Sequence, residues 1–202
     1  MFPLGTVLLP YMPLTLHVFE PRYRVLLRDA VASNGEFGVV LIERGNEVGG
    51  GDTRFDVGTV ARLVEVAELP DGRSLLLAVG TSRFTVREWL PEDPYPRAVV
   101  VPHDDDASGT AISAASVDAA TRAFERVLTL CAELGELPES TWRLSGEPAR
   151  LSFEMAGFAP LGPLDRQRVL ATADPAGRME LVREMLDEQA EVLEHRVRGQ
   201  HG

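Results

Sequence analysis

The chain has 202 residues and a formal net charge of -11, and all 20 of its basic side chains are arginine, with no lysine anywhere. A phosphate-binding P-loop and a Ser-Lys dyad both need a lysine, so these residues can build neither an ATPase centre of that type nor a Ser-Lys protease, nor a Schiff-base enzyme. With 45% hydrophobic and 25% charged residues the composition is that of a globular protein, long enough to bury one or two cores.

No run of about 18 apolar residues is present, so no membrane-spanning helix is expected. The opening Met1-Phe2-Pro3-Leu4 lacks a basic stretch and a cleavage site, so no secretory leader is expected either. One cysteine, Cys131, fits a reducing cytoplasm. Residues 1–101 carry 10 basic and 13 acidic groups, and residues 102–202 carry 10 and 18. Neither half has the basic patch that binding to nucleic acid requires.

In chain order, Pro21 starts a helix in which Tyr23, Leu26, Leu27, Ala30 and Val31 recur at helical spacing, and Asn34-Gly35 stops it. Short β-rich runs then follow: FGVVLIER (37–44), GTVARLVEVAEL (58–69), RSLLLAVG (73–80), RFTVREWL (83–90) and RAVVVP (97–102). Asp71-Gly72 marks a hairpin, Ser82 reads as a bulge or turn between two strands, and Glu47–Asp52 is a glycine-rich loop. Five or six strands in about a hundred residues predict a small closed or nearly closed sheet.

Residues 103–112 read as a linker, its His103-Asp104-Asp105-Asp106 run being a solvated connector in preference to a cation site. From 113 onward the period becomes 3.6. Val117, Ala120, Phe124, Val127, Leu128, Cys131 and Leu134 share one face of a helix. Helices over 148–158 and 164–172 follow. Asp174-Pro175 caps a long helix to about Val197, with Met179, Val182, Leu186, Leu193 and Val197 inward and Arg178, Glu180, Arg183, Glu184, Asp187, Glu188 and Glu191 on its wet face. The expected class is α+β: a β subdomain over 1–102, a linker over 103–112, and a helical bundle over 113–202.

Candidate chemistry is thin. Cys131 lies on an apolar stripe and reads as core, not as a nucleophile. The histidines share no metal-ligand spacing, and no G-x-S-x-G elbow occurs. No cofactor and no metal are expected. What remains is apolar surface. Leu75, Leu76 and Leu77 are consecutive in a strand, so at least one points away from the interior. Tyr11 and Met12 sit on a loop between Pro10 and Pro13.

FPLGTVLLPYMPLTLHVFEPRYRVLLRDA (2–30), with HVFEPRYR (17–24) its most specific piece, resembles the opening of the amino-terminal domain of the Lon (La) ATP-dependent proteases. GTVARLVEVAELPDGRSLLLAVGTSRFTV (58–86), YPRAVVV (95–101) and LGPLDRQRVLATADPAGRMELVREML (161–186) are similar to its later elements. The resemblance implies a PUA-like β pseudo-barrel followed by a helical bundle, and a role in substrate recognition and assembly. It implies a stand-alone, non-catalytic cytoplasmic protein that binds unfolded or extended polypeptide, or a protein partner, but neither nucleic acid nor membrane. Leu4, Tyr11, Met12, Leu75 and Leu77 are the expected contacts. Phe19, Glu20, Pro21, Arg22 and Tyr23 read as an architectural corner, with Phe19 in the core and Tyr23 packing the helix on the sheet. The alternative is a small-ligand sensor with a pocket between barrel and bundle that uses His17, Arg22, Arg83 or Trp89.

Overall fold

A computed structural model describes residues 1–45, 51–106, 111–136 and 144–200. The chain divides into two compact units, Met1–Asp104 and Asp105–Gly202.

The first unit is built on one mixed six-stranded sheet. Its strands are β1 (Phe2–Leu4), β2 (Pro13–Val18), β3 (Glu36–Arg44), β4 (Thr53–Glu68), β5 (Ser74–Leu90) and β6 (Arg97–Pro102), in the order β1-β3-β4-β5-β2, with β6 also paired to β5. β1 runs parallel to β3, and the remaining pairs are antiparallel. The path ends at β1 and β2, which are not paired to each other. Instead Phe2 and Leu4 of β1 and Leu14, Leu16 and Val18 of β2 join one core cluster, so side chains complete the pseudo-barrel.

The Asp71-Gly72 hairpin forms as expected. Gly72 takes φ 79°, its N–H donates to the Leu69 carbonyl at 2.9 Å, and Leu69 N–H donates to Arg73 at 2.8 Å. The runs expected over 73–80 and 83–90 form one strand and not two: β5 runs unbroken for 17 residues, Ser74–Leu90. Its first half is flanked by β2 and its second half by β6, while β4 pairs with both. Ser82 sits in a bulge, because Gly80 to Arg83 spans three steps on β5 against two from Ala61 to Thr59 on β4. Most of the glycine-rich loop expected over 47–52 lies outside the described residues.

Helix α1 (Pro21–Ala32) starts with Pro21 at its first position, where the missing N–H leaves no bond unmade. It ends with Gly35 N–H donating to the Ala30 carbonyl at 2.9 Å. Tyr23, Leu26, Leu27 and Ala30 are buried, but Val31, expected inward, is 59% exposed. Val31 follows Leu27 by one turn, on the margin of the apolar stripe.

The second unit comprises α2 (Ala114–Glu133), α3 (Pro148–Phe158), α4 (Pro163–Ala171) and α5 (Pro175–Gln200). Ser113 caps α2, its Oγ accepting from Ser116 N–H at 3.0 Å. The Asp174 carboxylate accepts from Ala176 and Gly177 N–H at 3.2 and 2.9 Å at the start of α5. Phe124, Val127 and Cys131 of α2 and Met179, Val182, Leu186 and Leu193 of α5 are buried where the two helices pack.

Arg178 overturns one expectation. It is fully buried, not on the wet face of α5. Its guanidinium gives NH1 and NH2 to the two Asp105 oxygens at 2.7 and 2.9 Å and Nε to Ser152 Oγ at 3.0 Å, and it lies 4.2 Å from the Phe153 ring centroid. Asp105 is therefore not a solvated connector residue. Asp106 N–H likewise donates to the Ala173 carbonyl at 2.9 Å. His103, for its part, bonds Thr85 Oγ1 through Nδ1 at 2.8 Å. Residues 107–110 of the expected linker lie outside the described residues.

Candidate functional site

Side chains alternate between the faces of a strand, so register decides what the sheet shows to solvent. Leu76 and Ala78 point into the main core with Val39, Ala61 and Phe37. Leu75, Leu77 and Val79 consequently lie on the other face, and all three are half-buried. Their neighbours there are His17, Thr15 and Pro13 on β2 and Ala67, Glu65 and Arg62 on β4. Exposed residues, four of the six of them polar, thus flank a short apolar stripe.

The bulge at Thr81-Ser82 inverts the alternation. Beyond it, Phe84 and Val86 join Val40 in a second small cluster, whereas the adjacent Val39 belongs to the main core. Phe84 and Val86 therefore share a face with Leu75, Leu77 and Val79. A shallow cavity of about 200 Å³ opens on that face, lined by Met1, Val60, Phe84, Ala98 and Val100 among others. Val100 at its rim is 42% exposed.

Tyr11 sits at the Val79 end of the stripe. Its N–H donates to the Gly80 carbonyl at 2.8 Å, and Gly80 N–H donates to the Met12 carbonyl at 2.9 Å. Gly80 is required for this approach: a Cβ there would lie 2.3 Å from the Leu9 carbonyl oxygen. Tyr11 is 43% exposed and holds φ 68°, an uncommon conformation for a side chain of its size. Met12 packs against the main core, and Leu4 is inside it at 4% exposure, so neither offers an apolar side chain to a partner as Tyr11 does. Of the five expected contacts, Leu75 and Leu77 share one half-buried face, and Tyr11 is exposed on the loop bonded to Gly80. Val79 was missed in the sequence, although it continues the spacing of Leu75 and Leu77. The Phe84 cavity was missed too, because its face depends on the bulge.

In the EPRYR corner the side chains of Arg22 and Tyr23 are engaged, whereas Phe19 is not packed in the core. Tyr23 stacks on Phe2 at 4.2 Å between ring centroids, and burial pushes its hydroxyl pKa up to about 12. Arg22 donates Nε to the Glu20 carboxylate at 3.1 Å and lies over the Tyr23 ring. Phe19, expected in the core, is 53% exposed at the end of β2, because Val18 takes the inward position. It borders a slot of about 190 Å³ between β1 and β2 that also includes His17.

Beside this corner lies an ionic network. Arg54 donates NH2 to Asp52 at 3.0 Å and to Glu92 at 2.6 Å, and its guanidinium is 4.8 Å from the Trp89 ring centroid. Burial pushes the Asp52 carboxyl up most strongly of any single cause, but the hydrogen bonds from Arg54 and the backbone, together with the charges of Arg54 and Arg22, outweigh it and hold the group below the usual carboxylate range. The four residues expected for a small-ligand pocket do not converge. His17 lines the β1–β2 slot, Trp89 lines a separate cavity beside Arg54, Arg22 is engaged by Glu20, and Arg83 is buried at 6% exposure.

Cys131 is buried, and burial raises its thiol pKa, with the Glu136 carboxylate adding to the shift; both oppose thiolate chemistry. Among the described residues no group of three or more His, Cys, Asp or Glu could hold a metal, and no helix is long and apolar enough to cross a membrane.

Residues 1–188 match the family model of the ATP-dependent protease La (LON) substrate-binding domain. The chain is 29% identical over 198 residues to Lon protease 2 of Myxococcus xanthus and 30% identical over 202 residues to the Lon protease of Anaeromyxobacter dehalogenans, with 92% of the chain covered in each case. It spans only 24% of the length of either protease. Among solved structures, the Lon N-terminal domain protein from Xanthomonas campestris superposes with a TM-score of 0.64 at 29% identity, covering 89% of this chain and 92% of that one. The N-terminal domain of the Mycobacterium avium complex Lon protease gives 0.60 at 17% identity, covering 92% and 97%, a likeness of fold alone. With the EPRYR corner, the open sheet and the following bundle all in place, the chain belongs to the ATP-dependent protease La (LON) substrate-binding domain family.

Proposed function

We propose that these residues form a non-catalytic module that holds extended or unfolded polypeptide in the cytoplasm. Any ATP hydrolysis or peptide cleavage belongs to other polypeptide segments. The observation that carries this reading is the half-buried stripe Leu75-Leu77-Val79 on the outer sheet face, with Tyr11 at one end. An extended chain laid across these residues would bury apolar side chains there and keep its polar groups near His17, Thr15 and Glu65. The family's description as substrate-binding supports the same role. The absence of lysine supports the non-catalytic part, since these residues supply neither a P-loop nor a Ser-Lys dyad. Affinity is expected to be weak, because an unfolded segment loses chain entropy when it is ordered.

The test is fluorescence anisotropy of a labelled, permanently unfolded polypeptide. Leu75→Asp and Leu77→Asp should each weaken binding by about tenfold or more, in line with truncating a central apolar contact. Both positions face solvent in part, so circular dichroism should show the fold retained. Unchanged affinity in both folded variants would remove the outer face from consideration.

A further inference from the structure

A second surface lies between α1 and the β4–β5 hairpin. It is a concavity of about 560 Å³ whose helical wall carries Arg24, Leu27, Arg28 and Val31. Those positions form a single stripe at i, i+3, i+4 and i+7, beside the face that α1 buries. The opposite wall carries Val66 and Glu68 of β4 and Gly72 of the turn. The Arg24 guanidinium lies over the turn: a Cβ on Gly72 would stand 3.0 Å from its NH2.

Arg22, Arg54, Arg62 and Arg73 of the same unit each hold a carboxylate in an ion pair, whereas Arg44, Arg87 and Arg97 hold none among the described residues; what sets Arg24 and Arg28 apart is that they line one concavity with apolar side chains. The guanidinium groups of Arg24 and Arg28 have no hydrogen bond or ion pair among the described residues, although the chain carries 31 acidic groups. Glu68 borders the same space without reaching either arginine within ion-pair distance. A guanidinium offers donors in a planar fork that fits a carboxylate, and two of them one helical turn apart define a place for one or two carboxylates.

We propose that this concavity docks an acidic–apolar segment of another polypeptide. A carboxylate side chain of the segment takes Arg24 and Arg28, and a neighbouring apolar side chain beds on Leu27, Val31 and Val66. Charge complementarity selects this occupant. A polyphosphate or nucleic acid would meet Glu68 at the wall and a molecule of net charge -11, whereas a segment with one or two carboxylates meets little of that repulsion. This surface is separate from the Leu75–Leu77 stripe and stands whether or not that stripe binds polypeptide.

The experiment titrates the full chain with a short capped peptide containing Glu-Leu-Glu-Phe, with a Gln-Leu-Gln-Phe counterpart and with a Glu-Gly-Glu-Gly counterpart, read by anisotropy. The first peptide should bind, and more weakly as salt is raised. Each counterpart should lose about fivefold or more, and the Arg24→Gln/Arg28→Gln double variant about tenfold. Glu68→Gln should tighten binding by about two- to threefold by removing a like charge, a gain that damage to the fold cannot mimic. Leu77→Asp should leave this peptide's affinity unchanged; a loss there would move the binding to the sheet face and overturn the proposal. Equal binding by the double variant, or by the glutamine peptide, would also overturn it. So would inorganic polyphosphate binding the same arginines more tightly than the peptide. A double variant that dissociates a dimer of the protein alone in sedimentation would likewise overturn it, by making the occupant a second copy.

Discussion

Asp52 and Arg54 show how a single pair couples the corner to pH. Their side chains are 3% and 9% exposed, and Arg54 also holds Glu92. Because the folded-state pKa of Asp52 lies below its unfolded value, the pair contributes stability above the unfolded pKa and loses it as pH falls through the folded one. Asp52→Asn should therefore cost about 1–3 kcal/mol at neutral pH, where it leaves Arg54 with Glu92 as its remaining carboxylate. Below about pH 4 the difference from the parent should begin to shrink, because the unfolded parent takes up the proton first, and it should vanish only as pH falls through the lower folded-state pKa. Urea unfolding followed from pH 2.5 to 7 checks both parts; a constant gap across that range would remove Asp52 as the titrating group. This network was illegible in the sequence, as were the positions of Phe19 and Arg178. Period alone places an arginine on a wet face. The acceptors that bury Arg178 come from Asp105, 73 residues away, and from Ser152, 26 away. At the end of β2 the inward place went to Val18, and nothing local distinguishes it from Phe19.

Among the elements, β5 decides what the sheet displays. The hairpin at Asp71-Gly72, α1 with its Pro21 start, and the capped α5 were all legible, because each is set by turn or cap chemistry within a few residues. The unbroken run of β5 was not. Gly80-Thr81-Ser82 looks like a turn by composition, and only pairing with β4 on one side and with β2 and then β6 on the other makes it continuous. Leu75 and Leu77 could be named as surface residues from alternation, but the company they keep could not, since it depends on the register of three strands. Gly80→Ala tests the arrangement. The added methyl would press on the Leu9 backbone, which cannot swing aside as a side chain would. A loss of roughly 1–3 kcal/mol is expected in urea unfolding. The Tyr11 amide, bonded to Gly80, should exchange its proton faster in that variant. A fully stable variant would show that the loop before β2 is looser than the distances imply.

At the scale of the whole molecule, the chain is two compact units, and the candidate surfaces both lie in the first. Leu186 is fully buried in the second unit. Leu186→Ala should cost about 2–5 kcal/mol there by leaving a cavity. Under conditions where the first unit remains folded, affinity for unfolded polypeptide should be unchanged. A parallel loss of affinity would assign part of the binding to the bundle. The class α+β, the order of a sheet followed by helices, and the family were legible because Asp-Gly, EPRYR and the change of period at residue 113 are local signals. The two candidate surfaces were legible only in part, because grooves are made by elements far apart in the chain.

The extra residue in β5 carries an evolutionary consequence. Most connecting segments absorb insertions and deletions without penalty, whereas a paired ribbon can lose a residue only where a bulge such as Thr81-Ser82 already holds a spare one. Removing one residue there would leave a regular ladder, with Gly80 and Arg83 two steps apart opposite Ala61 and Thr59, so Leu76 and Ala78 would stay inward and Phe84 and Val86 beside Val40; a deletion elsewhere in the ribbon would swap odd for even along one end. Length is thus as constrained along the rest of the ribbon as residue identity is in a core, and natural variation in length should concentrate at Thr81-Ser82.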